Sequence, residues 1–136
     1  MKKVLVAIDL SKRDDNDACI KMAQGIAKIM DGTLIFLHVI DGVPKYIVSS
    51  IPSGLLEKRK ADAEQELCTL AAQYKCTDAV VLEGKPATEI LEYASTIKAD
   101  LIVLNSHDPD ISDYVLGSVA SRVARRAPCS VHIVRH

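Results

Sequence analysis

Five short apolar runs divide this chain, at residues 4–8, 33–39, 78–82, 101–105 and 130–135, and the gaps between them carry helical periodicity. No other feature constrains the fold as strongly. Strands separated by helices do not pair as hairpins. Each returns by a crossover, which lays the strands parallel in one sheet with helices on both faces. The predicted order is β-α-β-α-β-α-β-α-β, an open, doubly wound α/β domain over residues 1–136. A chain of this length can build its core without crosslinks.

The helices are legible in their spacing. Cys19, Met22, Ala23, Ile26, Ala27 and Met30 recur on one face, predicting a helix over 17–30 with Asp15 or Asn16 as its cap and Asp31-Gly32 as its stop. Residues 56–74 form the longest predicted helix. A turn at 83–86 leads to Pro86, whose missing donor suits the first turn of a helix over 87–97. The last helix spans 115–126 and ends at Pro128. Segment 40–54 is long for an α/β connection. It holds Gly42, Pro44, Pro52 and Gly54 around Tyr46, Ile47, Val48 and Ile51. A ligand-covering loop and a surface insertion packed by its own apolar residues both fit.

Charge narrows the partners. Lys plus Arg number 17 and Asp plus Glu 18, a net charge of -1. Nothing there draws the chain to nucleic acid or an acidic membrane, and one Phe with scattered Tyr makes no stacking face. The first apolar run stops at Asp9, too short for a membrane span or a signal peptide, so a cytoplasmic location without membrane insertion is expected. Cys19, Cys68, Cys76 and Cys129 are widely spaced. They are expected reduced and mostly buried or half-buried, with no metal spacing. His38, His107, His132 and His136 likewise suggest no metal cluster.

An open α/β sheet takes its ligand at the carboxyl ends of the strands. Asp9 falls at such an end. It can accept from a ribose hydroxyl or help hold Mg²⁺, or it can serve its own turn. Asn105-Ser106-His107 closes the fourth run, and a loop with Asp108, Asp110 and Asp113 follows. Gly117-Ser118 then offers exposed amides at a helix start, the arrangement that receives phosphate oxygens. Lys85, Arg122, Arg125 and Arg126 are candidate counter-charges, though adjacent helical residues do not share a face. There is no GxxxxGK[ST] loop and no complete GxGxxG. Linear order supports no Ser-His-Asp triad.

Four stretches in this order, KKVLVAIDLS (2–11), LIFLHVIDGVP (34–44), VLEGKPATEILEYA (81–94) and ADLIVLNSHDPDISDYVLGSVASRVARRAPCSVHIVR (99–135), resemble the universal stress protein family. The likeness is greatest to its small single-domain F/G-type branch. It implies a five-stranded parallel sheet of order 3-2-1-4-5 and a homodimer joined through the final-strand region. It also implies an adenine nucleotide, ATP or AMP, in the carboxyl-edge cleft, with Mg²⁺ a candidate companion of ATP. Ala7, Ile8 and Asp9 match the ribose and base region, and Val39 an adenine-contacting position. Leu104 and Asn105 match the fourth-strand end, and Gly117, Ser118 and Val119 the phosphate-binding helix entrance. Lys85 and Arg122 are added as further contacts.

The family's nucleotide-binding pattern is GxxG, nine residues, then Gly followed by Ser or Thr. Here Asn105 and Asp108 stand at its first two glycines, and eight residues (109–116) precede Gly117. Similar branch members commonly carry Arg at the position of Asp108. A carboxylate there is expected to weaken ATP relative to AMP, with Mg²⁺ offsetting the difference. The implied function is that of a cytoplasmic stress-response protein whose nucleotide regulates an unidentified protein partner. The alternatives are a nucleotide-independent interaction module and a very weak ATPase.

Overall fold

The computed structural model describes residues 2–11, 13–106 and 116–135. Strand β1 (Lys2–Ala7) leads into helix α1 (Arg13–Met30), and β2 (Gly32–Asp41) follows. A one-turn helix α2 (Lys45–Val48) precedes the long α3 (Leu55–Gln73). Next come β3 (Ala79–Gly84), α4 (Pro86–Ile97), β4 (Leu101–Asn105), α5 (Ser118–Arg126) and β5 (Ser130–Val134). The sheet order is β3-β2-β1-β4-β5, and every pairing is parallel. This is the order expected from the resemblance.

The central strand shows why the apolar runs read as they do. Val6 pairs with Phe36 of β2 on one side and Val103 of β4 on the other. Successive side chains of a strand point to opposite faces. Val4 and Val6 enter one core with Ile20, Phe36, Leu67 and Val103, beneath α1 and α3. Leu5 enters the other with Leu37, Ile90, Ala94, Ile102 and Val123, beneath α4 and α5. A strand covered on both faces has no polar side to alternate with.

Several boundaries move, each for a local reason. Helix α1 starts at Arg13, four residues before the expected start. Asn16 therefore lies inside it and is no cap, and its side chain instead bonds the backbone of Asp9. Strand β2 runs on to Asp41 because Ile40 and Asp41 pair with Glu83 and Gly84 of β3. That places half of the expected 83–86 turn inside a strand. Gly84 ends this strand at φ 146, and an added Cβ would lie 2.6 Å from Glu89 Oε1. Only glycine meets both conditions without strain. Pro86 does open α4, and Gly117 stands as the N-cap of α5, which begins at Ser118. Val115, included in the expected helix, lies outside the described residues, as do His107, Asp108, Asp110 and Asp113.

Candidate functional site

The chain leaves β1 toward β2 on one side, and β3 returns over β1 to reach β4 on the other. The connections therefore diverge between β1 and β4, and a crevice opens above their carboxyl ends. A cavity of about 1060 Å³ occupies this place. Its floor is Ala7, Ile8 and Asp9 from the exit of β1, with Leu104, Asn105 and Ser106 from the exit of β4. Val39 enters from β2, and Gly117, Ser118 and Val119 from the start of α5. Residues far apart in the chain thus line one space.

The β1 exit is tied down closely. Ile8 N–H donates to Leu37 O at 2.8 Å. His38 Nδ1 lies 2.9 Å from Ile8 O. A carbonyl only accepts, so this contact places the proton on Nδ1. Asp9 Oδ1 accepts from the Ser11 amide at 3.0 Å and from the Ser11 hydroxyl at 2.6 Å. The carboxylate is thus held by the turn, and Asp9 lines the cavity.

Across the crevice, Ser106 N–H donates to Val134 O at 2.9 Å, and Gly117 N–H to Ser106 O at 2.8 Å. These bonds join the end of β4 to β5 and to the start of α5. Ser121 N–H closes the first turn on Gly117 O at 2.9 Å. Gly117 supplies no side-chain cap. The first amides of a helix have no acceptor within it, and with the helix dipole they favour an anion. Ser118 adds a hydroxyl beside them.

Lys85 and Arg122 are not among the residues that line the cavity. Lys85 is the exposed N-cap of α4. Arg122 is exposed on the second turn of α5, and Arg125 and Arg126 belong to its last turn. Cations there complement the carboxyl end of the helix dipole, the end away from Ser118. Sequence reasoning missed the opposite wall. Lys58, Arg59, Asp62 and Glu66 of α3 line the cavity, and Arg59 Nη2 donates to Asp41 O at 2.8 Å. Their spacing put them on one helix face but could not say that this face overhangs the sheet edge. His38 also lines the cavity, with no sequence signal to mark it.

Cysteine is absent from the cavity wall. Cys19 is fully buried, and burial pushes its thiol up to about 12. Burial also raises Cys76 and Cys129, which are half-buried, and only Cys68 is exposed, so most of the four are enclosed as expected. Among the described residues no helix is long and apolar enough to cross a membrane.

The universal stress protein family model matches residues 1–135. The chain belongs to the universal stress protein family. A universal stress protein of Methanocaldococcus jannaschii is 33% identical over 98% of this chain and 82% of its own length. Among solved structures, the universal stress protein UspA of Lactobacillus plantarum is 26% identical, with a TM-score of 0.72 over 98% of this chain and 97% of that one. A universal stress protein solved in complex with cAMP is 25% identical, with a TM-score of 0.61 over 98% of this chain and 96% of that one. The sheet order described above is that of a universal stress protein fold.

Proposed function

We propose that this universal stress protein binds an adenine nucleotide in the switch-point cavity and uses its occupancy to change partner interactions. The observation that carries the proposal is the meeting of Asp9 with the start of α5 across one cavity. Asp9 is a hydroxyl acceptor suited to a ribose, and the α5 amides with Ser118 are donors suited to a phosphate. Val39 and Ala7 supply apolar contact suited to a base. The relative solved with cAMP supports the same ligand class. ATP and AMP are the candidates. Among the described residues no three His, Cys, Asp or Glu side chains converge on a metal site.

The homodimer expected through the final-strand region is part of the proposal. Among the described residues, strand β5 lies at one edge of the sheet and has a strand partner only in β4. A sheet edge offers a row of backbone donors and acceptors to a second chain. A nucleotide-independent interaction module is the second reading. It draws on Tyr46, Ile47, Val48 and Leu55, all exposed, of which Leu55 also lines the cavity.

Calorimetric titration of ligand-free protein with AMP, and with ATP with and without Mg²⁺, tests the ligand. Saturable one-site binding is expected. Absence of binding to either nucleotide in folded protein overturns the nucleotide reading in favour of the interaction module. Light scattering during size-exclusion chromatography tests the dimer, and a monomeric mass sinks that part.

A further inference from the structure

Asn16 is polar, yet it is 1% exposed, within the first turns of α1. A buried side-chain amide costs stability unless its donors and acceptor are paired. Here the pairing is with one residue. Asn16 Nδ2 donates to Asp9 O at 2.8 Å, and Asn16 Oδ1 accepts from Asp9 N–H at 3.3 Å. One side chain thus grips both backbone polar groups of Asp9. The Ser11 amide and hydroxyl meanwhile hold Asp9 Oδ1.

We infer that Asn16 is the positioning residue that lets this site tell a ribose from a deoxyribose, acting through Asp9. The inference rests on the adenine-nucleotide reading. Its physical basis is the difference between an acceptor that is fixed and one that can relax. With both backbone polar groups of Asp9 gripped by Asn16 and its Oδ1 held by Ser11, the carboxylate meets the cavity in one orientation. A ligand with a hydroxyl at the matching point gains a charge-assisted bond, and a ligand without it leaves a gap that the carboxylate cannot close by moving. A loosened Asp9 turns toward water or another donor, and the two ligands become alike.

The test compares AMP with dAMP, which lacks one ribose hydroxyl, in the native protein and in Asn16→Ala and Asn16→Asp. The carboxylate in Asn16→Asp still accepts from the Asp9 amide but faces the Asp9 carbonyl without a proton to donate. Its extra negative charge weakens both nucleotides alike, so the ratio of their dissociation constants is the readout. That ratio is expected to fall about tenfold in either variant. A change in general stability would weaken both ligands without moving the ratio.

Amide exchange gives a second readout that needs no variant. In the ligand-free native protein, the Asp9 amide and the Asn16 side-chain amide are expected to exchange slowly. Rapid exchange at both overturns the inference even if the variants fail to fold. Folded variants with an unchanged ratio overturn it while leaving the nucleotide reading intact. Native protein that binds neither AMP nor dAMP overturns the nucleotide reading and this inference together.

Discussion

Asp9 has two duties in this structure, toward its own turn and toward the cavity, and two substitutions separate them. Oδ1 accepts from the Ser11 amide at 3.0 Å and the Ser11 hydroxyl at 2.6 Å. Asp9→Asn keeps an oxygen that can take both donors. It loses only the charge assistance, roughly half the strength of such a bond, at a half-buried residue beside an exposed one. Its cost in stability should stay within about 1 kcal/mol. Asp9→Ala strips both donors of their acceptor. Each such bond is worth about 0.5–1.5 kcal/mol net, and water partly replaces it at Ser11, so a cost of about 1–2 kcal/mol is expected.

Ligand binding should respond differently. Both substitutions remove the carboxylate that would accept from the ribose. A hydrogen bond to a charged group contributes about 1.5–3 kcal/mol, which weakens affinity by roughly 10–150-fold. Removing the carboxylate also relieves its repulsion of phosphates, which acts in the opposite direction. Adenosine carries no phosphate, so its loss of affinity should exceed that of AMP. Calorimetry for binding and urea denaturation for stability report the two duties separately. Folded Asp9→Asn that binds adenosine as tightly as the native protein would refute this account of the carboxylate.

Three further outcomes follow from packing and proton chemistry. Phe36, the only Phe in the chain, is fully buried with its ring centroid 6.3 Å from that of Tyr74; Phe36→Ala should cost about 3–5 kcal/mol in urea denaturation, and a loss under about 1 kcal/mol would contradict the core described above. In brief alkylation at neutral pH read by mass spectrometry, Cys68 should label first and Cys19 last, since Cys19 is enclosed and its thiol is pushed up to about 12; equal rates would refute the burial assignment. The Tyr74 hydroxyl donates to the exposed Asp17 carboxylate, and chiefly through that bond Tyr74 rises from 10.0 to about 12 while Asp17 falls below 3.8. The tyrosine contribution to stability is therefore full below pH 10.0 and lost between 10.0 and about 12, and the aspartate contribution is present above 3.8 and lost as pH falls below it; both are small at a solvated site, and a tyrosinate titration unchanged by Asp17→Ala would contradict the pairing.

Much of the fold could be read along the chain because a strand buried on both faces has a local signature. The β4 bounds were legible to the residue, since 101–105 is an apolar run between a helix break and a polar loop. Pro86 marked the start of α4 because its fixed backbone and missing donor suit that position alone. The start of α1 was misjudged because Asn16 has the chemistry of a cap. Only the folded chain shows that its amide turns back to Asp9. The end of β2 was misjudged for a related reason: Ile40 and Asp41 become strand by pairing with Glu83 and Gly84, more than forty positions away.

The candidate site divides along the same line. Asp9, Asn105, Gly117 and Ser118 stood out because strand exits and helix entrances are punctuated by residue types that the backbone there requires. Lys58, Arg59 and His38 did not, because a charged residue on a cavity wall and one on a solvated face look the same in sequence. Lys85 and Arg122 had suitable charge, but neither is among the residues that line the cavity. The sequence by itself determined which segments are strand and helix and that they wind into a parallel sheet, since burial on both faces and crossover by helices are local demands. Only the tertiary structure decided which helix face overhangs the sheet edge and which buried amide grips Asp9. Those contacts join residues whose separation in the chain carries no record of their meeting.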